Sequence, residues 1–344
     1  MCNIAGYIGD KQAAPVLIDM MLREEGFDAG FYTGIATIHE GKLYYAKLMG
    51  DTKRLLDLTN AASLPGRIGI IHGRTRSGGD DMWAHPFIAE REGIPYLAYV
   101  ANGSTGCFAD RKQQALDITE QLVAEGYHMH SRAVMPPNHY LTLADGTSVH
   151  SSDATSQLVL RNLLHGIDLP DAMEQALCGI LSEDVALALS LSDPDCIGFT
   201  RINQPMMVSF VEHGVYMAST AMAFPSDAGD IQSLPLLSSG RIYRTHLTAA
   251  PYQNPPCLVK DIDDTIRQSA YDLICQALQE QKYTLGQLRQ LIKPIFGNAQ
   301  SAPFSFLVYE ILRELQTEGR LQTEKVRVNG VREGITAPQI QMWL

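Results

Sequence analysis

The sequence predicts an α+β layered fold followed by a small helical module. Three features point there. Short apolar runs of strand length crowd the first two-thirds. Helical patterns are grouped between those runs instead of alternating with them. The composition changes near residue 246.

Taken in order, NIAGYIG, TGIATIH, KLYYAKL, RIGIIHG and IPYLAYV are apolar runs bounded by Gly, Asp or Asn, and read as strands. AAPVLIDMMLREEG and DRKQQALDITEQLVAEG read as helices; the second sets Ala115, Ile118, Leu122 and Val123 on one side. HYLTLADGTSVHS is a hairpin with an Asp-Gly turn. SDATSQLVLRNLLHG and LPDAMEQALCGI are two further helices, and VALALSLSDPDCIGFTRI, PMMVSFVEHGVYMAST and GRIYRTHL are strand-rich. TAAPYQNPPC, rich in Pro and small polar residues, reads as a linker. The expected division is 1–248, a linker at 249–258, and 259–344. DIDDTIRQSAYDLICQALQEQ, TLGQLRQLIKPIF and FSFLVYEILRELQTEGR are helical, and LQTEKVRVNGVREGITAPQI reads as a hairpin turning at Asn329-Gly330. Three helices and then a hairpin is the order of a winged-helix module.

A chain of 344 residues can bury one large core or two smaller ones. The net charge of -11 argues against a non-specific grip on nucleic acid, which needs a cationic face. The last 90 or so residues carry acids and bases in about equal number, and the third helix is rich in Glu, so that module is read as a protein contact, a dimerisation surface or a structural cap before a DNA reader. No apolar run approaches the roughly 20 residues that span a bilayer. There is no basic region followed by a long apolar one at the N-terminus, so a secretory signal is not expected. Cys2, Cys107, Cys178, Cys196, Cys257 and Cys275 are scattered without a CxxC pair, which suits neither a zinc site nor a disulfide scaffold. A reducing cytoplasm is the expected home, with the five later cysteines as buried small hydrophobes. His128 and His130 lack a nearby third ligand and read as a surface strand. No metal and no cofactor are expected.

Four islands carry residues of chemical interest. MCNIAGYIG puts a thiol directly after Met1; with Met1 removed, Cys2 holds a nucleophile and a free α-amine on one residue. The plain alternative is an edge strand that begins with Cys. HGRTRSGGDDMWAHPF places Arg74 and Arg76 beside a Gly-Gly pair, a loop that can fold over an anion with a guanidinium forked onto its carboxylate, or simply a solvated loop. In YVANGST the Asn102 amide and the Gly103 N–H can donate together to a developing oxyanion, or form an ordinary turn. Asp153 in HSSDATSQLV can hold an ammonium, or act only as an acid in a helix's first turn.

Together, in this order, the islands resemble the class II glutamine amidotransferases, the N-terminal-nucleophile amide hydrolases, and are nearest to the glutaminase domain of glucosamine-6-phosphate synthase. MCNIAGYIG matches that family's MCGIVGYIG; GIIHGRTRSGG followed by WAHPF matches GIAHTRWATHG followed by NAHPH; AYVANGST matches VVHNGII; HSSDATSQL matches SETDTEV. The resemblance covers about residues 2–245 and implies a four-layer αββα sandwich. It implies Cys2 as nucleophile, the Cys2 α-amine as general base, and Asn102 with Gly103 as oxyanion hole. Arg74 would hold the α-carboxylate of glutamine, Asp153 its α-ammonium, and Ser77 and Gly78 the closing loop.

The chain departs from the pattern at several points. Asn3 stands for Gly, Thr75 for the Trp that gates an ammonia channel, and Glu25 for an arginine; the loop between Arg74 and His85 is two residues shorter. Too few residues follow 245 for the family's isomerase domains. The expected reaction is hydrolysis of glutamine to glutamate and ammonia through a γ-glutamyl thioester, with a separate synthase subunit as the ammonia acceptor if there is one, and with self-association open. The alternatives are hydrolysis of another γ-glutamyl-type amide, or a non-catalytic ligand-sensing regulator. Nucleic acid and membrane partners are not expected.

Overall fold

The apolar runs pair into two antiparallel sheets in the computed structural model, which describes residues 2–103, 111–134, 141–181, 185–257, 259, 261–297 and 303–344. Met1 and Cys107 lie outside the described residues, as do the last two residues of YVANGST.

The chain begins with β1 (Asn3–Gly9), α1 (Ala13–Glu24), β2 (Tyr32–His39), β3 (Lys42–Met49) and α2 (Thr52–Leu58). It continues through β4 (Ile68–Arg74), β5 (Phe87–Arg91), β6 (Ile94–Asn102), α3 (Lys112–Ala124), β7 (Leu141–Thr142) and β8 (Ser148–Val149). Helices α4 (Ser151–Leu164) and α5 (Leu169–Ile180) precede β9 (Val185–Ser190), β10 (Asp193–Arg201), β11 (Met207–Val211) and β12 (Gly214–Ala218). Then come β13 (Gln232–Ser233), β14 (Ser238–Ile242) and β15 (Leu247–Pro251). The last part holds α6 (Asp264–Glu280), α7 (Leu285–Ile292), α8 (Phe304–Thr317), β16 (Gln322–Asn329) and β17 (Thr336–Trp343).

Among the described residues one sheet runs β13-β11-β12-β1-β4-β2-β3 and the other β15-β14-β10-β9-β6-β5. The central strands β1 and β4 are buried along their whole length, which is why NIAGYIG and IGIIHGR read as continuous runs. At the edge of the same sheet, KLYYAKLM of β3 mixes buried Leu43, Ala46, Leu48 and Met49 with exposed Lys42 and Tyr45. Ile4, Ile70, Val100, Leu187 and Met217 fill the layer between the sheets. Leu17 and Met21 of α1 cover the outer face of the first sheet. Leu158 of α4 and Met173 and Ala176 of α5 cover the outer face of the second. The layers are therefore helix, sheet, sheet, helix.

Helices α6 to α8 build a separate core around Ile274, Leu288, Val308 and Leu312, joined by Met342 of β17 and by Phe27 from the first part of the chain. Contacts with the stretch after α1 are dense. The Ile340 N–H donates to the Gly26 carbonyl at 2.9 Å, and the Gly286 N–H to Asp28 Oδ1 at 3.2 Å. Lys325 Nζ donates to the Leu22 carbonyl at 2.8 Å, and Arg327 pairs with Asp51. Gly26 has φ +108°, and a Cβ there would lie 2.9 Å from Ile340 Cγ1, so both its backbone and its lack of a side chain serve this contact.

Three expectations are corrected. The hairpin does not turn tightly at Asn329-Gly330: pairing closes at Asn329 and Thr336, and a longer loop holds Val331 and Ile335 against Tyr32, Met49 and Ala84. Burial of those two apolar side chains outweighs the local turn preference of Asn-Gly. The stretch read as linker begins as sheet, since β15 reaches Pro251 beside β14. Of the cysteines read as buried, Cys196 and Cys275 are so, while Cys178 and Cys257 are half-buried.

Candidate active site

Strands β1 and β4 are antiparallel, with Asn3 opposite Gly73 and Ile4 opposite His72. Directly opposed residues share a face, and alternate residues return to it. Ile4, His72 and Arg74 therefore point between the sheets, while Asn3 points toward the helices, and Cys2 stands just ahead of β1. Asn102 arrives from the second sheet at the end of β6, on the inner face with Ala98 and Val100. Its Nδ2 donates to the Cys2 carbonyl at 2.8 Å. Its Oδ1 is buried and has no partner among the described residues. Gly103 follows, exposed. Cys2 and Asn102, which come from separate islands of the sequence, are thus brought together.

Cys2 is half-buried, and its Sγ accepts the Thr75 N–H at 3.4 Å. Burial pushes the thiol up. The His72 imidazole beside it, the positive chain terminus and the Thr75 N–H outweigh burial and bring the thiol down to about 6. His72 is fully buried. Its Nε2 lies 3.0 Å from the Ala101 carbonyl, which only a protonated nitrogen can serve, so Nδ1 keeps its lone pair. The same residue holds a second ring: the Ala101 N–H donates to His85 Nδ1 at 3.3 Å, and His72 and His85 stack with centroids 3.9 Å apart. His150 meets His85 edge-on at 5.4 Å and accepts the Ser152 N–H at the start of α4. Burial, then the surrounding positive charges, hold His85 and His150 well below the ordinary imidazole range, so both stay neutral.

Arg74 is buried, with its guanidinium over the Tyr32 ring at 4.6 Å. Its Nη1 donates to the carbonyls of Gly78 at 3.0 Å and Trp83 at 3.1 Å. The loop after β4 is thereby drawn onto Trp83. Gly79 at φ +94° permits this, because a Cβ would fall 2.2 Å from Trp83 Cγ. Gly78 contributes its carbonyl to Arg74, and exposed Ser77 donates to the Thr75 carbonyl at 3.2 Å. Lys47 of β3 fixes the far side of the loop, donating to the carbonyls of Met82, Ala84 and Pro86 at 3.1, 2.9 and 3.2 Å. Burial brings its ammonium down to about 8, against the pull of Asp153 and Asp80.

Asp153 is fully buried in the first turn of α4. Its Oδ2 accepts the Ser131 N–H and hydroxyl, both at 2.7 Å, and Oδ1 has no partner among the described residues. Burial raises its carboxyl; Ser131, Lys47 and His130 oppose the rise. Among the described residues no group of three His, Cys, Asp or Glu side chains forms a metal site, and no helix is long and apolar enough to cross a membrane.

Three departures acquire positions. Thr75 lies against the Cys2 sulfur, its Oγ1 at 3.7 Å. Asn3 does not crowd the nucleophile, because it faces outward and donates to the Glu24 carbonyl. Glu25 accepts the Thr52 N–H at 3.0 Å at the start of α2 and lies within the field of Lys325 from the hairpin. Sequence reasoning missed His72, His85, His150 and Lys47. The signal for His72 was present: it precedes Arg74 by two in a strand, so both must share a face.

No family model matches the chain. The glutamine--fructose-6-phosphate aminotransferase [isomerizing] of Pyrococcus horikoshii is 27% identical over 228 residues, 65% of this chain and 33% of that protein. The one from Caldanaerobacter subterraneus subsp. tengcongensis is 29% identical over 226 residues, 64% of this chain and 31% of that protein. The chain spans about a third of the length of the curated relatives it matches. Among solved structures, the glutamine phosphoribosylpyrophosphate amidotransferase from B. subtilis aligns with TM-score 0.56 at 14% identity, covering 74% of this chain and 50% of that one. A structure described as the allosteric regulatory enzyme of purine biosynthesis aligns with TM-score 0.59 at 14% identity, covering 82% and 59%. Across about its first two-thirds the chain is similar to the glutamine--fructose-6-phosphate aminotransferases, and its fold is similar to that of solved glutamine amidotransferases.

Proposed function

We propose that the chain is a glutamine amidohydrolase of the class II type. The observation that carries this is the meeting of Cys2, its thiol brought down to about 6, with the Asn102 amide across the inter-sheet layer. In the reaction Cys2 Sγ attacks the side-chain amide carbon of glutamine. The oxygen charge that develops is taken by the Asn102 amide and the Gly103 N–H. The C–N bond breaks, ammonia leaves, and water hydrolyses the γ-glutamyl thioester to glutamate. Arg74 orients the α-carboxylate and the unpartnered Oδ1 of Asp153 takes the α-ammonium, with the Ser77–Gly78 loop closing over both. Ammonia goes to a separate synthase partner or to solvent.

A second reading has a different γ-glutamyl-type amide as substrate. It is favoured by Arg74, which spends two donors on its own loop, and by Thr75, which stands beside the sulfur where the family has Trp. The C-terminal helices and hairpin form a winged-helix-like module that works by docking onto the first domain. Its third helix, the one such modules use for recognition, buries Leu307, Val308, Tyr309, Ile311, Leu312 and Leu315.

The test is intact mass of the full chain before and after 6-diazo-5-oxo-L-norleucine, together with ammonia release from glutamine and other amides. A single adduct absent in Cys2→Ala, with glutamine the fastest substrate, supports the first reading. Release from another γ-glutamyl amide alone supports the second. No adduct and no release overturns both.

A further inference from the structure

We infer that Val331 and Ile335, at the tip of the C-terminal hairpin, are positioning residues for the substrate clamp around Arg74. Through them the C-terminal module sets how tightly the α-carboxylate end of the substrate is held. This rests on the reading of Arg74 as the group that orients that carboxylate.

The loop between Asn329 and Thr336 is longer than closure of the two strands needs. Within it Arg332, Glu333 and Gly334 are exposed, while Val331 and Ile335 are half-buried. Its backbone is held from inside. The Gly330 N–H donates to the Ile335 carbonyl at 2.7 Å, and the Ile335 N–H to the Arg332 carbonyl at 3.1 Å. The two apolar side chains pack against Tyr32, Met49 and Ala84, all buried.

Each of those three residues is tied to the loop after β4. The Tyr32 ring lies under the Arg74 guanidinium at 4.6 Å, and its hydroxyl donates to the Gly79 carbonyl at 3.2 Å. The Met49 N–H donates to Asp81 Oδ1 at 2.7 Å. The Ala84 carbonyl accepts from Lys47 at 2.9 Å, and the preceding carbonyl, of Trp83, accepts from Arg74 at 3.1 Å. The hairpin is anchored beside this cluster. Arg327 pairs with Asp51, two residues beyond Met49. A Cβ on Gly30 would lie 2.8 Å from Pro338 Cγ, so β17 runs against the approach to Tyr32.

Arg74 lies flat on Tyr32 and reaches both carbonyls only while the ring keeps its place. Taking apolar atoms away from Val331 and Ile335 removes packing on the hairpin side of the ring, and close-packed neighbours respond by shifting. A shift of Tyr32 displaces Arg74 and Gly79 together, because both lie on that one side chain. Asn102 reaches Cys2 from the other sheet and keeps its own contact. The effect therefore falls on substrate binding and spares turnover.

The experiment combines steady-state glutamine hydrolysis with hydrogen exchange of the substrate-free full chain, read by mass over residues 75–86. The variant is Val331→Ser with Ile335→Ser, which keeps the backbone bonds of the loop and removes its apolar contacts. Val331→Ile with Ile335→Leu is the conservative rescue, and exposed Glu333→Ala is the control. The double serine variant is expected to raise KM about fivefold with kcat within about twofold. Exchange over residues 75–86 should quicken while that of β16 and β17 stays unchanged. The rescue and control variants should match the wild type in both readouts. In a folded double serine variant, an unchanged KM, an unchanged exchange rate over 75–86, or a fall in kcat alone overturns the proposal. If that variant fails to fold, Ile335→Val decides by the same readouts, with a KM rise of about twofold expected and no change overturning the proposal. If the wild type does not hydrolyse glutamine, exchange alone decides. Faster exchange over 75–86 then leaves the positioning role standing while the substrate reading fails, and unchanged exchange overturns the role as well.

Discussion

On its inner face β1 leads from Cys2 to Ile4, toward His72, Arg74 and, from the opposite sheet, Asn102. On its outer face Asn3 donates to the Glu24 carbonyl, and the Ser219 hydroxyl bridges the Ile4 N–H at 3.1 Å and the Glu24 carboxyl at 3.3 Å. Tyr309 of α8 lies within reach of the Glu24 carboxyl. The two faces are one residue apart in sequence and do different work. The inner face places groups that can move a proton and stabilise an oxyanion. The outer face holds α1 and the C-terminal module to the sheet. A departure from the family pattern therefore has to be assigned to a face before it is given a consequence. Asn3 sits next to the nucleophile in sequence yet belongs to the packing side.

The sharpest separation of the faces comes from Asn102→Ala. On the proposed reaction it removes an oxyanion donor and is expected to lower kcat for glutamine by roughly 10²–10³-fold with KM little changed. An equal loss in KM alone would show that Asn102 positions the ground state instead. Next in size is Arg74→Lys. The ammonium cannot lie flat on Tyr32 while reaching two carbonyls, so the loop over Trp83 loosens and KM for glutamine rises by about tenfold. Unchanged steady-state kinetics would remove Arg74 from the substrate site.

On the outer face, Asn3→Gly is expected to lower stability in urea by about 1–2 kcal/mol, through one lost hydrogen bond and a freer unfolded chain. The alkylation profile of Cys2 should stay where it is; a shift would join the two faces energetically. The smallest effect is that of Glu24→Gln at low pH. Burial raises the Glu24 carboxyl well above its ordinary value, so the folded state keeps a proton that the unfolded state releases near about 4.3. Stability from this group is fully present below that pH and is lost as pH rises toward the raised native value. The advantage of Glu24→Gln over the wild type should thus be near zero at pH 4 and widen toward pH 8. A gap that stays flat with pH, in thermal melts of both proteins, would show that Glu24 ionises in the native state.

Much of this was legible in the sequence. The central strands announced themselves as unbroken apolar runs because they are covered on both faces, and Cys2, Arg74, Asn102 and Asp153, each with an ordinary alternative on its own, stood out through the resemblance of their islands, in order, to one family. His72 was legible too, by the period of two, but histidine beside a strand end has many ordinary uses and nothing local singled it out. Glu25 was visible as a substitution and not as a contact, since its partners Thr52 and Lys325 come from α2 and from the far hairpin. The Asn329-Gly330 turn was misplaced for the same reason: Val331 and Ile335 gain more by covering Tyr32 than the two-residue turn gains by closing.

By itself the sequence determined which segments become strands and helices, which residues could be reactive, and that two unlike parts follow one another. Those properties are local, set by side-chain period, turn chemistry and residue type. Tertiary structure decided which reactive groups meet. The β1–β4 register put His72 opposite Ile4 on the inner face, the packing of the two sheets delivered Asn102 to the Cys2 carbonyl, and burial between them shifted the groups that hold protons. None of these can be read from one stretch of chain, because each depends on the distance between residues about 70 to 100 positions apart and on the water excluded when the sheets close.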